Sequence, residues 1–327
     1  MTIEQRPADT TVEERVRRNI SRLQSLPALS AVVSKVIALA DSPTVSGQQV
    51  ADVVGKDQSM VTAILKIVNS PFYGLNRRVS SINHAVILLG YRTVRNIALS
   101  TSLVNAFSGA GHDPRFDRRR FWAHSVFTAS AARLIAKKQR NLDSEEAFLA
   151  GLIHDMGRIV FDHYFPQEFG QAFDLAEKNG MQLHAAEKTV LGLDHAELGK
   201  LIAQKWNFPP HIAEGIGVHH DPVAALETSE LAVCIYLANE LSHVAEERIP
   251  ESIDLTTEDE SIESENDDLI SLVPPAGSHY TTSAMERIDA RVLEHLDLGE
   301  KAIGELLQDL EGEMEKAQAF LSALNLQ

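Results

Sequence analysis

The spacing of apolar side chains constrains the fold more than any other feature of this chain. From Leu29 to Leu39, and again through SMVTAILKIV, INHAVILLG, YRTVRNIALSTSLVNAF and FWAHSVFTASAARLIAKK, apolar residues recur three or four apart, the period of a helix face. Sustained alternation, the mark of a half-buried strand, occurs nowhere in the 327 residues. The expectation is an all-α protein. The punctuation agrees. Ser46 with Gln49 reads as a capping box, Asp57 as the cap of the next helix, and Gly55 and Pro71 as stops. Further on, SEEAFLAGLIHDMGRIVFDHY reads as one helix ended by Pro166, followed by FGQAFDLAEKNG, HAAEKTVLG, HAELGKLIAQKW, HIAEGIGVHH and SELAVCIYLANELSHVAEE.

Charge and cysteine content narrow the function classes. With 46 acidic against 30 basic residues the formal net charge is −16, which argues against nucleic-acid binding by bulk charge. GQQVADVVGKDQSMVTAILKIV has helix–turn–helix spacing, but its second helix offers only Lys66 as a cation and reads as half of a packed αα-hairpin. No direct nucleic-acid binding is expected. Cys234, the single cysteine, can form neither an internal disulfide nor a cysteine-based zinc site, so a reducing, cytoplasmic setting is expected. No run approaches the ~18 apolar residues of a membrane span, and the N-terminus lacks a signal peptide's apolar core. Glycine-rich phosphate loops and dinucleotide fingerprints are absent. Arg77, Arg78, Arg92 and Arg95 read as solvated helix ends, Arg115 and Arg118 to Arg120 as partners of Asp113 and Asp117, and Trp122, Trp206 and Phe208 as core anchors.

Histidine is the unusual entry in the composition: ten of thirteen fall between His112 and His243. His154-Asp155 sits in an apolar helix, His124 lies 30 residues upstream in another, His195 opens a third, and His219-His220 end a fourth. Imidazoles with a carboxylate suit a divalent metal, and such ligands commonly come from several helices facing one pocket. Taken singly, each of these histidines reads as a satisfied core residue; taken together they form a candidate site.

FWAHS, AGLIHDMGRIV, LDHAELGKLIAQKWNFPPHI and GVHHDP, in that order, resemble the HD superfamily of metal-dependent phosphohydrolases. Upstream, NSPFYG, AVILLG and their surroundings resemble one branch of it, the HDOD (HD-related output domain) proteins, over roughly residues 23–245. The resemblance implies an HD-like helical core with an additional helical N-terminal subdomain. It also implies metal ligation by His124, His154, Asp155, His195, His219 and His220, with Fe, Mn, Zn or Mg as the ion, and Asp155 as the catalytic carboxylate of an active member. Two positions depart from the catalytic pattern. Asn239 stands where catalytic relatives carry a late aspartate, and Arg158 where one phosphodiesterase branch carries a lysine; both are candidate ligand-binding residues. An amide is a poorer donor to a hard cation than a carboxylate, and an arginine fork suits an ion pair. The expected function is therefore a non-catalytic signal-transduction output module that binds a partner protein or a nucleotide-type ligand. A metal-dependent phosphohydrolase acting on a phosphoester or cyclic nucleotide is the alternative.

The expected organisation is an N-terminal tail (1–20), an HDOD subdomain (21–110), the HD-like core (111–250), an acidic linker (251–283) and C-terminal amphipathic helices (284–327). Residues 251–270 hold nine acids and no bases, which makes them the expected mobile segment and protease target. Leu306, Leu310, Met314, Ala317 and Leu321 form a stripe that either docks on the chain's own core or pairs in a homodimer or partner coiled coil.

Overall fold

The computed structural model describes residues 31–40, 46–107, 113–139, 141–246 and 278–324; the acidic run and most of the 108–114 loop lie outside them. Among the described residues there is no strand, and no helix is long and apolar enough to cross a membrane. The N-terminal subdomain comprises α1 (Ala31–Ala40), α2 (Gly47–Val54), α3 (Gln58–Val68), α4 (Ile82–Leu89) and α5 (Tyr91–Ala106). Its punctuation is as expected: Ser46 and Gln49 complete a capping box, and Asp57 accepts from the Ser59 and Met60 amides to cap α3. Val50, Val54, Ile64, Ile67 and Val68 are fully buried, so the helix–turn–helix segment is a packed hairpin.

The core follows as α6 (Arg118–Lys138), α7 (Ser144–Ile153), α8 (Met156–Tyr164), α9 (Pro166–Asn179), α10 (Leu183–Leu191), α11 (His195–Lys205), α12 (Pro210–Gly217), α13 (Pro222–Thr228) and α14 (Glu230–Glu246). α6 is its axis and packs along both α7 and α14. Gly151 permits the first contact: a Cβ there would lie 2.8 Å from the Thr128 carbonyl oxygen and 2.9 Å from Ala129 Cα. Trp122, Trp206 and Phe208 are buried, as anchors should be.

Three local expectations are corrected. The helix read from Ser144 to Tyr164 is interrupted at His154-Asp155, where a turn separates α7 from α8. The MERIDARVLEHL segment is two helices, α15 (Ser278–Arg287) and α16 (Ala290–His295), because Asp289 accepts from the Arg291 amide and starts a new cap. Arg95 is no solvated helix end. It is buried where α5 packs on α7, and its Nε and Nη2 both donate to Asn96 Oδ1. Of the other cations, Arg115 pairs with Asp113 at 2.9 Å as expected, whereas Arg118 reaches across to buried Asp162 at 2.6 Å.

The long last helix, α17 (Glu300–Ala323), settles the use of the apolar stripe. It lies on α6 and on the 3-10 turn Pro71–Tyr73, with contacts to α3 and α14. Leu306, Leu310, Ala317 and Leu321 are buried there. Phe320 packs at a tilt against Phe72, ring centroids 4.9 Å apart, and Arg133 of α6 lies over the Phe72 and Phe148 rings while pairing with Glu313 at 3.1 Å. The stripe docks on the chain's own core.

Candidate metal centre

The break between α7 and α8 creates the centre of the site. A continuous helix would commit the 154–155 backbone to one direction. The turn instead carries Asp155 inward while His154 Nδ1 donates to the Gly151 carbonyl at 2.7 Å. Gly157, in the first turn of α8, then lets α8 lie directly against the start of α11, since a Cβ there would sit 2.8 Å from His195 Cα and nearer still to the His195 carbonyl. α11 begins at His195 because Asp194 and Glu197 form a capping box. His219 and His220 lie just beyond α12, in the turn before Asp221 caps α13, and do not belong to the helix itself.

All six sequence-designated ligand residues meet around Asp155. Its Oδ1 lies 3.0 Å from His195 Nε2, 3.3 Å from His219 Nε2 and 3.5 Å from His154 Nε2. His220 Nε2 is 2.7 Å from His195 Nε2, and His124 Nε2 is 3.3 Å from His154 Nε2. The orientation of three rings is set from behind. His154 and His219 donate Nδ1–H to backbone carbonyls of Gly151 and Ile216, and His195 Nδ1 donates to Glu187 at 2.6 Å. In the neutral form each of these rings turns an Nε2 lone pair toward Asp155, the arrangement in which outer partners orient metal-ligating histidines.

Electrostatics sharpen the picture. Burial by itself would raise the Asp155 carboxyl, but Arg158 at 2.8 Å, together with His154 and His195, holds it well below the usual carboxylate range. Burial keeps His154, His219 and His220 neutral and ready to donate. His195 is different: burial disfavours its cation, yet Glu187 and Asp155 outweigh that and push it up to about 9. Both oxygens of Asp155 and the Nε2 of His219 are shut away from water without a well-aligned hydrogen bond. Buried polar atoms in that condition are costly unless something else satisfies them. An imidazole-rich set around one carboxylate fits a divalent transition ion, so the residues present fit the metal that the HD resemblance implies.

Asn239 and Arg158, the two departures, both reach the site. Asn239 Oδ1 lies 3.1 Å from His124 Nε2, and Arg158 occupies the Asp155 Oδ2 side. Three residues outside the sequence-designated set also matter. Glu187 is fully buried and bonds both the amide and Nδ1 of His195. The signal for it was an acid on the apolar side of HAAEKTVLG, four residues before buried Leu191. Glu246 bonds His124 Nδ1 at 2.8 Å from a position two helical turns beyond Asn239 on α14. His184 stacks on His220 at 4.4 Å.

A pH prediction follows from His195. An imidazole must be deprotonated to ligate, and His195 without metal holds its proton up to about 9. Metal affinity should therefore climb about tenfold per pH unit for the displaced proton between pH 7 and 9, then flatten. Competition titrations at pH 7, 8 and 9 check this; affinity unchanged over that window would mean that His195 is not a ligand.

With the geometry in place, the comparisons decide the family. The HDOD domain family matches over residues 26–222, more than half of the chain. The chain belongs to the HDOD family. Among the relatives of this HDOD protein is an uncharacterized protein of Treponema pallidum (strain Nichols), 25% identical over 220 residues, 67% of this chain and 42% of the relative. Ribonuclease Y of Mycoplasma mycoides is 31% identical over 120 residues, 37% of this chain and 21% of its own length. The chain spans less than half the length of these curated relatives. Two solved structures share its fold. One, from Shewanella amazonensis SB2B, is carried under a phosphohydrolase name, with TM-score 0.69, 22% identity, and 92% of this chain and 97% of that one covered. The other is an HDOD domain protein of unknown function from Geobacter sulfurreducens, with TM-score 0.63, 24% identity, and 93% and 99% covered.

Proposed function

We propose that this HDOD protein is a cytoplasmic signal-output module in which a divalent ion held at Asp155 orders the helical core, and which works by binding a partner protein or a nucleotide-type ligand without turning over phosphoesters. The observation that carries this reading is the state of the Asp155 carboxylate. One of its oxygens faces His154, His195 and His219, while the other is engaged by Arg158 at 2.8 Å. Asp155, His154, His195 and His219 are all at most 1% exposed, so an ion held among them would be shielded from bulk solvent, with Arg158 and His220 on the less buried side. In catalytic relatives a second carboxylate adds ligand charge where this chain has the neutral Asn239. When bound in an open site, a divalent ion polarises phosphoryl oxygens and lowers the pKa of its water toward ~7. Here Asp155 and the three histidines would hold the ion, with Glu187 orienting His195 and Arg158 neutralising the remaining carboxylate oxygen. Iron and zinc suit this imidazole-rich set better than manganese or magnesium.

The test pairs metal content with activity. Wild-type protein should retain about one equivalent of metal at this centre and show no turnover of bis(p-nitrophenyl) phosphate or cyclic dinucleotides above background. His154→Ala should lower the metal content and the melting temperature together. Asn239→Asp should tighten binding roughly tenfold. Robust wild-type hydrolysis abolished by Asp155→Ala would promote the second reading, a metal-dependent phosphohydrolase, which the convergence of all six designated ligands favours.

A further inference from the structure

A second group of metal-type donors, sharing only His124 with the set around Asp155, stands at the C-terminal end of α14. His243 and Glu246 are three residues apart, the spacing at which helix residues share one face. His124 of α6 faces both. Glu246 Oε1 lies 2.8 Å from His124 Nδ1, and its Oε2 lies 3.8 Å from His243 Nδ1. The two imidazole rings are 4.6 Å apart at 19°. One ligand atom from each of the three residues falls within 4.8 Å of the others. Tetrahedral zinc with bonds of about 2.0–2.2 Å needs donors about 3.4 Å apart, so a closure of at most about 1.4 Å suffices. The outer partners can supply it: His243 and Glu246 have side-chain exposures of 30% and 28%, in contrast to the buried Asp155 group.

His124 turns Nδ1, not Nε2, toward this group: Nε2 faces Asn239 Oδ1 at 3.1 Å, while Nδ1 bonds Glu246 Oε1 at 2.8 Å. An ion entering between them would replace the proton that Nδ1 and the carboxylate share.

We propose that His124 Nδ1, His243 and Glu246 form a separate, solvent-facing site for a divalent transition ion, with zinc the ion its two-histidine, one-carboxylate set suits best and a fourth position left to water. The site does not depend on an ion at Asp155, since Asp155, His154, His195, His219 and His220 remain for that centre. Tested on the full chain with zinc and with cobalt as a spectroscopic probe, wild-type protein should take up two ions. His243→Gln, at a partly exposed position, should take up one and lose the outer cobalt absorption; Glu246→Gln should do the same. His219→Ala should keep the outer ion and lose the inner one. A wild type holding one ion that His243→Gln removes and His219→Ala retains would support the outer site and sink the inner reading. An ion count and cobalt spectrum unchanged by both His243→Gln and Glu246→Gln would overturn the outer site, as would a single ion lost only in His219→Ala.

Discussion

Gly157→Ala should give a protein that no longer holds an ion at Asp155 and that melts well below wild type. Gly157 touches the backbone of His195, and an added Cβ would sit 2.8 Å from His195 Cα and 2.7 Å from its carbonyl carbon. None of these atoms belongs to a flexible side chain that could swing aside. The only relief is for α8 and α11 to part. Overpacking of this kind costs about 1–3 kcal/mol, and the functional loss should be larger. Asp155 precedes α8 by one residue and His195 opens α11, so the movement falls on two ligands, while such constellations tolerate about 0.5 Å of displacement. A melting curve and an elemental analysis of the same preparation check both halves of the expectation. Wild-type metal content together with a wild-type melt would mean that α8 and α11 do not meet as described.

The second large effect concerns α15 to α17. Removing residues 247–327 should collapse the cooperative unfolding transition of the remainder. Deletion strips Phe320 from Phe72, leaves Arg133 without Glu313, and takes Ser322 O from Lys66 Nζ at 3.1 Å. It also bares the α6 surface now covered by Leu306, Leu307 and Leu310, all buried. At ~25 cal/mol per Å2 of apolar area, re-exposing such a face removes a large share of a domain's 5–15 kcal/mol. Phe320→Ala alone should cost about 3–5 kcal/mol. Chemical denaturation of the truncated and point variants measures both. A truncated chain that unfolds with wild-type midpoint and slope would instead support the boundary at the acidic run that the sequence suggests, with the C-terminal helices as an appendage.

Helix periods, caps and proline stops were legible because they are local: the Ser46–Gln49 box and the Asp57 cap need only neighbouring residues. The candidate ligands were legible because His-Asp and His-His pairs are rare inside apolar helices. Their supports were not. Glu187 and Glu246 are ordinary acids in sequence, and each gains its role only through a histidine brought to it by packing. The break at His154-Asp155 is not legible in the sequence because neither glycine nor proline marks it, and tertiary contacts impose it on a run whose periodicity reads straight through. The burial of Arg95 is hidden for the same reason. Its exposure depends on α7, whose position on α5 no local pattern announces.

In the function proposed here, Asp155 and its histidines hold an ion which Arg158 and Asn239 keep from hydrolytic use. Anomalous scattering from crystals of protein purified without chelators, collected on both sides of the iron, manganese and zinc edges, tests it most directly. The expected result is a peak bonded to Asp155 Oδ1 and to the Nε2 atoms of His195 and His219, with Arg158 still paired to Oδ2. A cluster closed on itself with no anomalous peak, or a metal-bound site in which Arg158 has swung away and opened a channel to solvent, would contradict it.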